Sequence, residues 1–143
     1  VVSSAASDVY KRQALDLLCK RSLSRKAFGK PLAELGGNYD VIADCRIEIE
    51  MCRLMTLKAA HMMDTAGNKI AKSEIAQIKV AIPLMATRVI DKAIQIHGGA
   101  GVSQDTPLAS LYASVRYLRI GDGPDEVHRR TVARYELGKH QSL

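Results

Sequence analysis

The chain has 143 residues, a formal net charge of +6 at pH 7, 47% hydrophobic residues and 25% charged residues. This length corresponds to one domain or a piece of one, and it allows a substantial buried core. No apolar run approaches the roughly 20 residues of a membrane span, and the first residues lack the basic start and apolar centre of a secretory signal. Three cysteines without CxxC spacing are typical of small buried side chains in a reducing compartment.

Basic residues are concentrated before residue 31, and this cluster is compatible with two kinds of ligand, nucleic acid and a small phosphate-bearing molecule. The cluster comprises Lys20, Arg21, Arg25, Lys26 and Lys30. Binding of single-stranded nucleic acid would need aromatic stacking platforms between these charges, and only Phe28 lies among them. A phosphate-bearing small molecule suits the cluster at least as well, so composition alone does not decide.

The amino-terminal segment shows no helical period. Residues 1–12 are predicted to be disordered or artefactual, which leaves residues 13–143 as the domain. A first helix is predicted from Gln13 to Lys26. It ends near Gly29 and Pro31, because Gly suits a helix exit and Pro cannot continue a helix.

Two long helices are predicted next, from Asn38 to about Ala66 and from about Ala71 to Ile96. Apolar residues recur in both at three- and four-residue steps. A short glycine-containing connection predicts that they pack antiparallel. The first of them carries a second apolar stripe, which predicts neighbours on more than one side: Ile47, Met51 and Leu54.

The second long helix ends in more glycine than a cap requires. Gly98, Gly99 and Gly101 follow it closely, which indicates that something packs directly on this backbone. Two further helices fit Pro107–Arg119 and Pro124–Leu137. The predicted fold is all-α, an antiparallel bundle of the four-helix up-and-down type with an extra short helix.

A carboxylate between two glycines, Gly121-Asp122-Gly123, separates the last two predicted helices. An ordinary turn explains this pattern, since Asp and Gly are common turn residues. A ligand that approaches the backbone closely explains it too. No metal site is predicted, because the four histidines show neither HExxH nor paired spacing with cysteine.

Three stretches in this order resemble the carboxy-terminal domain of the acyl-CoA dehydrogenases. They are Arg25-Lys26-Ala27-Phe28-Gly29, Gln95-Ile96-His97-Gly98-Gly99-Ala100-Gly101, and the acidic turn at Asp122. The resemblance covers residues 13 to 143 and implies that an amino-terminal helical domain and a middle β-domain are absent. It also implies FAD as the cofactor, bound between the middle domain and the bundle, with part of the binding site supplied by a neighbouring subunit.

The resemblance assigns cofactor-binding roles to seven residues. Arg25 matches the arginine that reaches the FAD pyrophosphate of the neighbouring subunit, and its guanidinium fork has the right shape for that task. The others are Phe28, which is otherwise a core anchor, Gln95, Gly98 and Gly99 at the adenosine and pyrophosphate end, Pro124 in place of a usual Thr, and Glu126. Ala27 and Gly36 depart from the family pattern, which puts two flavin contacts in doubt.

Asp122 falls where most of the family has a catalytic glutamate. The implied role is removal of the α-proton of an acyl-CoA thioester while hydride leaves the β-carbon for flavin N5. Some branches of the family carry Asp at this position. Because Asp is one methylene shorter than Glu, either the α-carbon must lie closer or the turn must shift.

The resemblance therefore implies an FAD-dependent acyl-CoA dehydrogenase of fatty acid β-oxidation, of which this chain alone would be inactive. Implied partners are the acyl-CoA substrate, electron-transfer flavoprotein as electron acceptor, and further copies in a homodimer or homotetramer, but no nucleic acid. The implied compartment is the bacterial cytoplasm or the mitochondrial or peroxisomal matrix. The alternative is a non-catalytic helical module for oligomerisation or interaction with the same fold.

Overall fold

The computed structural model describes residues 2–141, with side chains from residue 6. Six helices lie in this part of the chain, so the all-α prediction is confirmed. They are α1 (Val2–Ser24), α2 (Asn38–Ala66), α3 (Lys72–His97), α4 (Gly99–Val102), α5 (Leu108–Leu118) and α6 (Asp125–Gly138). One short hairpin, β1 (Lys26–Ala27) and β2 (Lys30–Pro31), and a 3-10 turn at Leu32–Glu34 connect α1 to α2.

Helix α1 differs from the predicted disorder of residues 1–12, because it begins at Val2; Val1 lies outside the described residues. Its buried positions follow helical spacing but include polar side chains, which hides the stripe from a search for apolar residues. The buried side chains are Ser7, Lys11, Ala14, Leu18 and Ser22. Lys11 is ion-paired with Asp8 one turn earlier, which compensates its buried charge.

Helices α2 and α3 run antiparallel, as predicted. The guanidinium of Arg88 donates to Glu48 at 2.9 Å, and the thiol of Cys52 lies 3.9 Å from the Ala81 carbonyl oxygen. A later residue of α2 therefore contacts an earlier residue of α3, which is the antiparallel arrangement. The second apolar stripe of α2 lies in solvent, since Ile47, Met51 and Leu54 are each more than half exposed.

Helix α1 runs parallel to α3, which gives an up-down-up order for the first three long helices. Leu18 and Ser22 share a small cavity of about 90 Å³ with Gln95 and Ile96 near the end of α3. Toward the other end, the charge of Lys11 acts on the pKa of Cys52 and lowers it, although burial dominates and raises that pKa overall. The carboxyl ends of α1 and α3 therefore lie at the same end of the bundle.

Helix α3 is the centre of the bundle, because α1, α2, α5 and α6 all pack against it. Its interior side chains are almost completely buried: Ile78, Ile82, Met85, Val89, Ile90 and Ala93. Pro83 lies inside the helix without ending it. Each buried aliphatic side chain contributes about 1.5–3 kcal/mol of transfer free energy. Helix α3 therefore supplies a large share of the core, and the positions of the other helices are described relative to it.

Helices α5 and α6 follow one another along α3 as an interrupted fourth helix. The end of α6 meets the start of α3, where Thr131, Tyr135 and Gly138 line a cavity with Lys72. At 1.5 Å per residue, α5 and α6 together are about 37 Å long and α3 about 39 Å. The turn at residues 119–124 therefore lies near the middle of α3, whereas Gly98 lies at its end.

Candidate functional site

A tight hairpin places Phe28 in solvent just beyond α1. In this hairpin Lys26 pairs with Pro31 and Ala27 with Lys30, and the two turn residues, Phe28 and Gly29, have φ of 52° and 77°. Positive φ at both positions is the pattern of a type I′ hairpin turn. The left-handed region costs a non-glycine residue about 1–2 kcal/mol, yet the Phe28 side chain is 96% exposed. Its role as a core anchor is thereby excluded.

Arg25 lies between α1 and this hairpin with its backbone fixed and its side chain exposed. Its N–H donates to the Arg21 carbonyl at 3.0 Å, and its carbonyl accepts from the Leu32 N–H at 2.9 Å. The Leu32 carbonyl in turn accepts from the Asn38 side chain at 2.6 Å. Asn38 lines the same small cavity as Gln95, so the sequence-predicted residues Arg25 and Gln95 lie at one end of the bundle.

The glycines after α3 have different surroundings. Gly98 ends α3 with φ 62° and ψ −140°, a combination that essentially requires glycine. Nothing lies within 4 Å of the position of a Cβ on Gly98 or Gly99, whereas a Cβ on Gly101 would lie 2.6 Å from the Ile94 carbonyl oxygen. At Gly101 the predicted close packing comes from the chain itself, through the backbone of Ile94. At Gly98 and Gly99 no described residue lies against the Cβ position, so a ligand can approach there.

These residues form one candidate surface, which we call the end site: Arg25, Phe28, Gln95, Gly98 and Gly99. All five are exposed. A guanidinium fork, an aromatic face and a backbone stretch without side chains, at Gly98 and Gly99, suit a phosphate-bearing, ring-containing ligand. The residues present therefore fit the adenosine and pyrophosphate part of a dinucleotide.

The second site is the turn between α5 and α6, which carries Asp122 at φ 58° with its side chain exposed. A Cβ on Gly121 would lie 2.8 Å from the Tyr117 ring, and a Cβ on Gly123 would lie 3.3 Å from Nε2 of His128. Each glycine next to Asp122 is thus covered by a ring with hydrogen-bonding capacity. Pro124 and Glu126 follow, both exposed.

An ion pair closes this turn. The Arg119 guanidinium lies 2.9 Å from the Asp125 carboxylate, and the Asp125 N–H donates to the Arg119 carbonyl at 3.3 Å. Asp125 is only 6% exposed. Asp125 lies in the first turn of α6, and its six-residue separation from Arg119 matches no sequence motif. Burial of one carboxylate beside an exposed one, Asp122, is visible only in three dimensions.

Helix α5, about 16 Å long, separates the end site from the Asp122 turn. One copy of the chain therefore does not bring the end site and the Asp122 turn together. The described residues hold no group of three or more His, Cys, Asp or Glu side chains placed to bind a metal. Within the same residues, no helix has the length and hydropathy that crossing a bilayer requires.

Comparisons with known proteins agree with the geometry. Residues 2–137 match the family model "Acyl-CoA dehydrogenase, C-terminal domain". The mouse protein acyl-CoA dehydrogenase family member 10 is 56% identical over 133 residues, which are 93% of this chain and 12% of that protein.

Solved structures show the same relationship. A putative acyl-CoA dehydrogenase from Mycobacterium abscessus superposes with a TM-score of 0.94 at 52% identity, covering 96% of this chain and 34% of that one. An FAD complex of PigA superposes with a TM-score of 0.87 at 27% identity, covering 94% of this chain and 34% of that one. The chain thus spans about a third or less of the proteins it matches here. It belongs to the acyl-CoA dehydrogenase family and corresponds to the carboxy-terminal domain.

Proposed function

We propose that the complete protein carrying this domain is an FAD-dependent acyl-CoA dehydrogenase in which Asp122 is the catalytic base. The reaction removes a proton from the α-carbon of an acyl-CoA thioester and a hydride from its β-carbon, which leaves an α,β-double bond. FAD, when bound, supplies the hydride acceptor. The observation that carries the proposal is an exposed carboxylate held at positive φ between two glycines, in the turn between α5 and α6.

A carboxylate at this place suits the chemistry. The α-proton of a thioester is weakly acidic, so a positioned base is needed as the β-hydride departs. The exposed side chain of Asp122 is free to meet a substrate. The backbone N–H of Asp122 is a candidate donor to the thioester carbonyl, where negative charge develops in the transition state.

The end site supports FAD as the cofactor. Arg25 would hold the pyrophosphate through its guanidinium fork, Phe28 would pack on a ring, and Gln95 would hydrogen-bond at the adenosine end. The open backbone of Gly98 and Gly99 would allow the phosphates to approach. Pro124 and Glu126 would lie near the flavin of the other site.

The distance between the two sites supports assembly with further copies. If Asp122 serves one cofactor, the end site of the same chain is placed to serve the cofactor of a neighbouring subunit, as a homodimer or homotetramer would require. The exposed stripe of α2 is a surface that such an assembly can cover. Electron-transfer flavoprotein is the proposed acceptor of the electrons.

Two variants of the complete enzyme test this function. Asp122→Asn should lower the rate of flavin bleaching by acyl-CoA on the order of 10²–10⁴-fold while FAD stays bound, because an amide cannot accept the α-proton. Arg25→Ala should weaken FAD binding about 10- to 100-fold, because it removes charge-assisted hydrogen bonds. Rapid mixing without oxygen measures the first effect, and FAD content after dialysis measures the second.

The opposite outcomes favour the alternative, a non-catalytic helical interaction module. Full bleaching by Asp122→Asn would exclude it as the base, and FAD retention that is indifferent to Arg25→Ala would exclude the proposed end site. A neutral control is available at Lys58, an exposed residue of α2 outside both sites. Lys58→Ala should leave both measurements unchanged.

A further inference from the structure

We infer that the ion pair between Arg119 and Asp125 is a positioning device that presents the Asp122 carboxylate to the substrate. This inference rests on the proposed function, since it assigns a role in the same reaction to residues that do not touch the reacting atoms. It starts from the conformation of Asp122 itself. A non-glycine residue at φ 58° persists only where its surroundings determine the backbone.

The side chain of Asp122 does not provide that restraint. It is exposed, and the ion pairs among the described residues involve Asp125 rather than Asp122. The carboxylate is therefore directed by its backbone alone. An aspartate is one methylene shorter than a glutamate and has fewer side-chain rotamers. A displaced backbone therefore changes the distance between carboxylate and substrate by nearly the same amount.

The ion pair fixes the two ends of the turn. The Arg119 Nε lies 2.9 Å from Asp125 Oδ2, and a backbone hydrogen bond of 3.3 Å from the Asp125 N–H to the Arg119 carbonyl closes the same loop. A side-chain contact and a main-chain contact between the same two residues restrict both the distance and the twist of the segment between them. Asp122 lies at its midpoint, three residues from each.

Burial makes this contact stronger than an ordinary surface pair. The Asp125 side chain is 9% exposed and that of Arg119 27%, so water screens them weakly. The second carboxylate oxygen of Asp125 is buried without a hydrogen-bond partner among the described residues. Asp125 thus depends on Arg119 for the compensation of its charge, and a change in either residue leaves the other uncompensated.

Two rings and a backbone hydrogen bond lie at the middle of the turn. Tyr117 covers Gly121 and His128 covers Gly123, while the Gly121 N–H donates to the Tyr117 carbonyl at 2.8 Å. These contacts hold the residues on either side of Asp122 but do not join the two ends of the turn. Joining the ends is the part that Arg119 and Asp125 perform.

The test uses the complete enzyme with FAD bound. Arg119→Lys keeps the positive charge but removes the planar fork, and Asp125→Asn keeps the shape but removes the negative charge. Each should slow flavin reduction by acyl-CoA on the order of 10- to 100-fold, because small misplacements of a catalytic group have effects of that size. Proton removal should become more rate-limiting, so the isotope effect of α-deuterated substrate should rise.

The matched control is the pair of Arg88 and Glu48, also 2.9 Å apart but with side chains 53% and 34% exposed. Arg88→Lys should change neither the reduction rate nor the isotope effect. FAD content and acyl-CoA affinity, measured from the shift of the flavin spectrum, should stay the same in the Arg119 and Asp125 variants. A purely structural pair would lower the melting temperature without changing the isotope effect.

Three outcomes contradict the inference. The first is an unchanged reduction rate and isotope effect in both variants. The second is a loss of acyl-CoA affinity that alone explains the slower reaction. The third is failure of both single variants and of the double variant Arg119→Gln/Asp125→Asn to fold with FAD, because the pair would then serve folding. An inactive Asp122→Asn beside a fully active Arg119→Lys would leave the proposed function intact and reject only the positioning role.

Discussion

The end site and the Asp122 turn differ in what fixes their residues. At the end site, Arg25, Phe28 and Gln95 extend from a fixed backbone into solvent, and the backbone of Gly98 and Gly99 is open. At the turn, rings cover both glycines and an ion pair closes the loop. A surface that binds a ligand from outside can leave its side chains mobile, whereas a base must be held before the substrate arrives.

The largest difference between the two regions should appear in the free energy of unfolding when one glycine in each region is replaced by alanine. Gly101→Ala near the end site would place a Cβ 2.6 Å from the Ile94 carbonyl oxygen, a backbone atom that cannot move away. Gly121→Ala at the turn would meet the far end of the Tyr117 side chain at 2.8 Å, and Tyr117 is 65% exposed and free to rotate. We expect a loss of about 3 kcal/mol for the first and less than about 1 kcal/mol for the second.

Thermal unfolding of the complete enzyme measures this contrast. Equal losses of stability would show that the turn is as rigidly packed as the junction of α3 and α4. A Tyr117→Ala background provides the control, because it should remove the remaining cost of Gly121→Ala and leave that of Gly101→Ala unchanged.

Within the end site, alanine substitutions at Gly98 and Gly99 should differ in their effects on stability and on FAD binding, by a smaller amount. Gly98→Ala forces a side chain into φ 62° and ψ −140°, at a cost of about 1–3 kcal/mol. Gly99 has an ordinary φ and nothing within 4 Å of its Cβ position, so Gly99→Ala should fold normally. If Gly99 lies against the cofactor, Gly99→Ala should nevertheless weaken FAD binding.

Melting temperature and FAD content together check this prediction. Normal FAD affinity in Gly99→Ala would remove Gly99 from the end site, while a normal melting temperature in Gly98→Ala would contradict the strained conformation. The two measurements distinguish a glycine needed for folding from one needed for ligand approach.

The smallest effect concerns the core between α2 and α3, away from both regions. Burial raises the pKa of the Cys45 thiol to about 11, and the nearby Glu48 carboxylate contributes in the same direction. Because the raised pKa favours the neutral thiol in the folded state, its contribution to stability is complete below pH 9. That contribution is lost as pH rises toward 11.

Unfolding measured between pH 8 and pH 11 should show this decline, and Cys45→Ala should reduce it. The same thiol should react slowly with alkylating reagents at pH 8, because little thiolate is present. Fast labelling of Cys45 would show that the packing of α2 on α3 opens readily.

Much of the fold followed from periodicity. Apolar residues at three- and four-residue steps predicted α2 and the all-α bundle. The polar stripe of α1 escaped the same test, because Ser7 and Lys11 occupy buried positions without being apolar. Periodicity reports hydrophobicity, whereas burial also admits polar groups that find a partner.

The amino-acid sequence by itself determined the helices α2, α3, α5 and α6, the carboxylate at Asp122 and the glycines beside it, because these depend on local preferences and short spacings. Only the tertiary structure decided that Phe28 is exposed, that Asp125 rather than Asp122 is buried against Arg119, and that the end site and the turn lie a helix length apart. The exposure of Phe28 depends on the hairpin that carries it, and the other two properties depend on how α5 and α6 pack along α3. Contacts between residues distant in sequence leave no periodic signal in the chain.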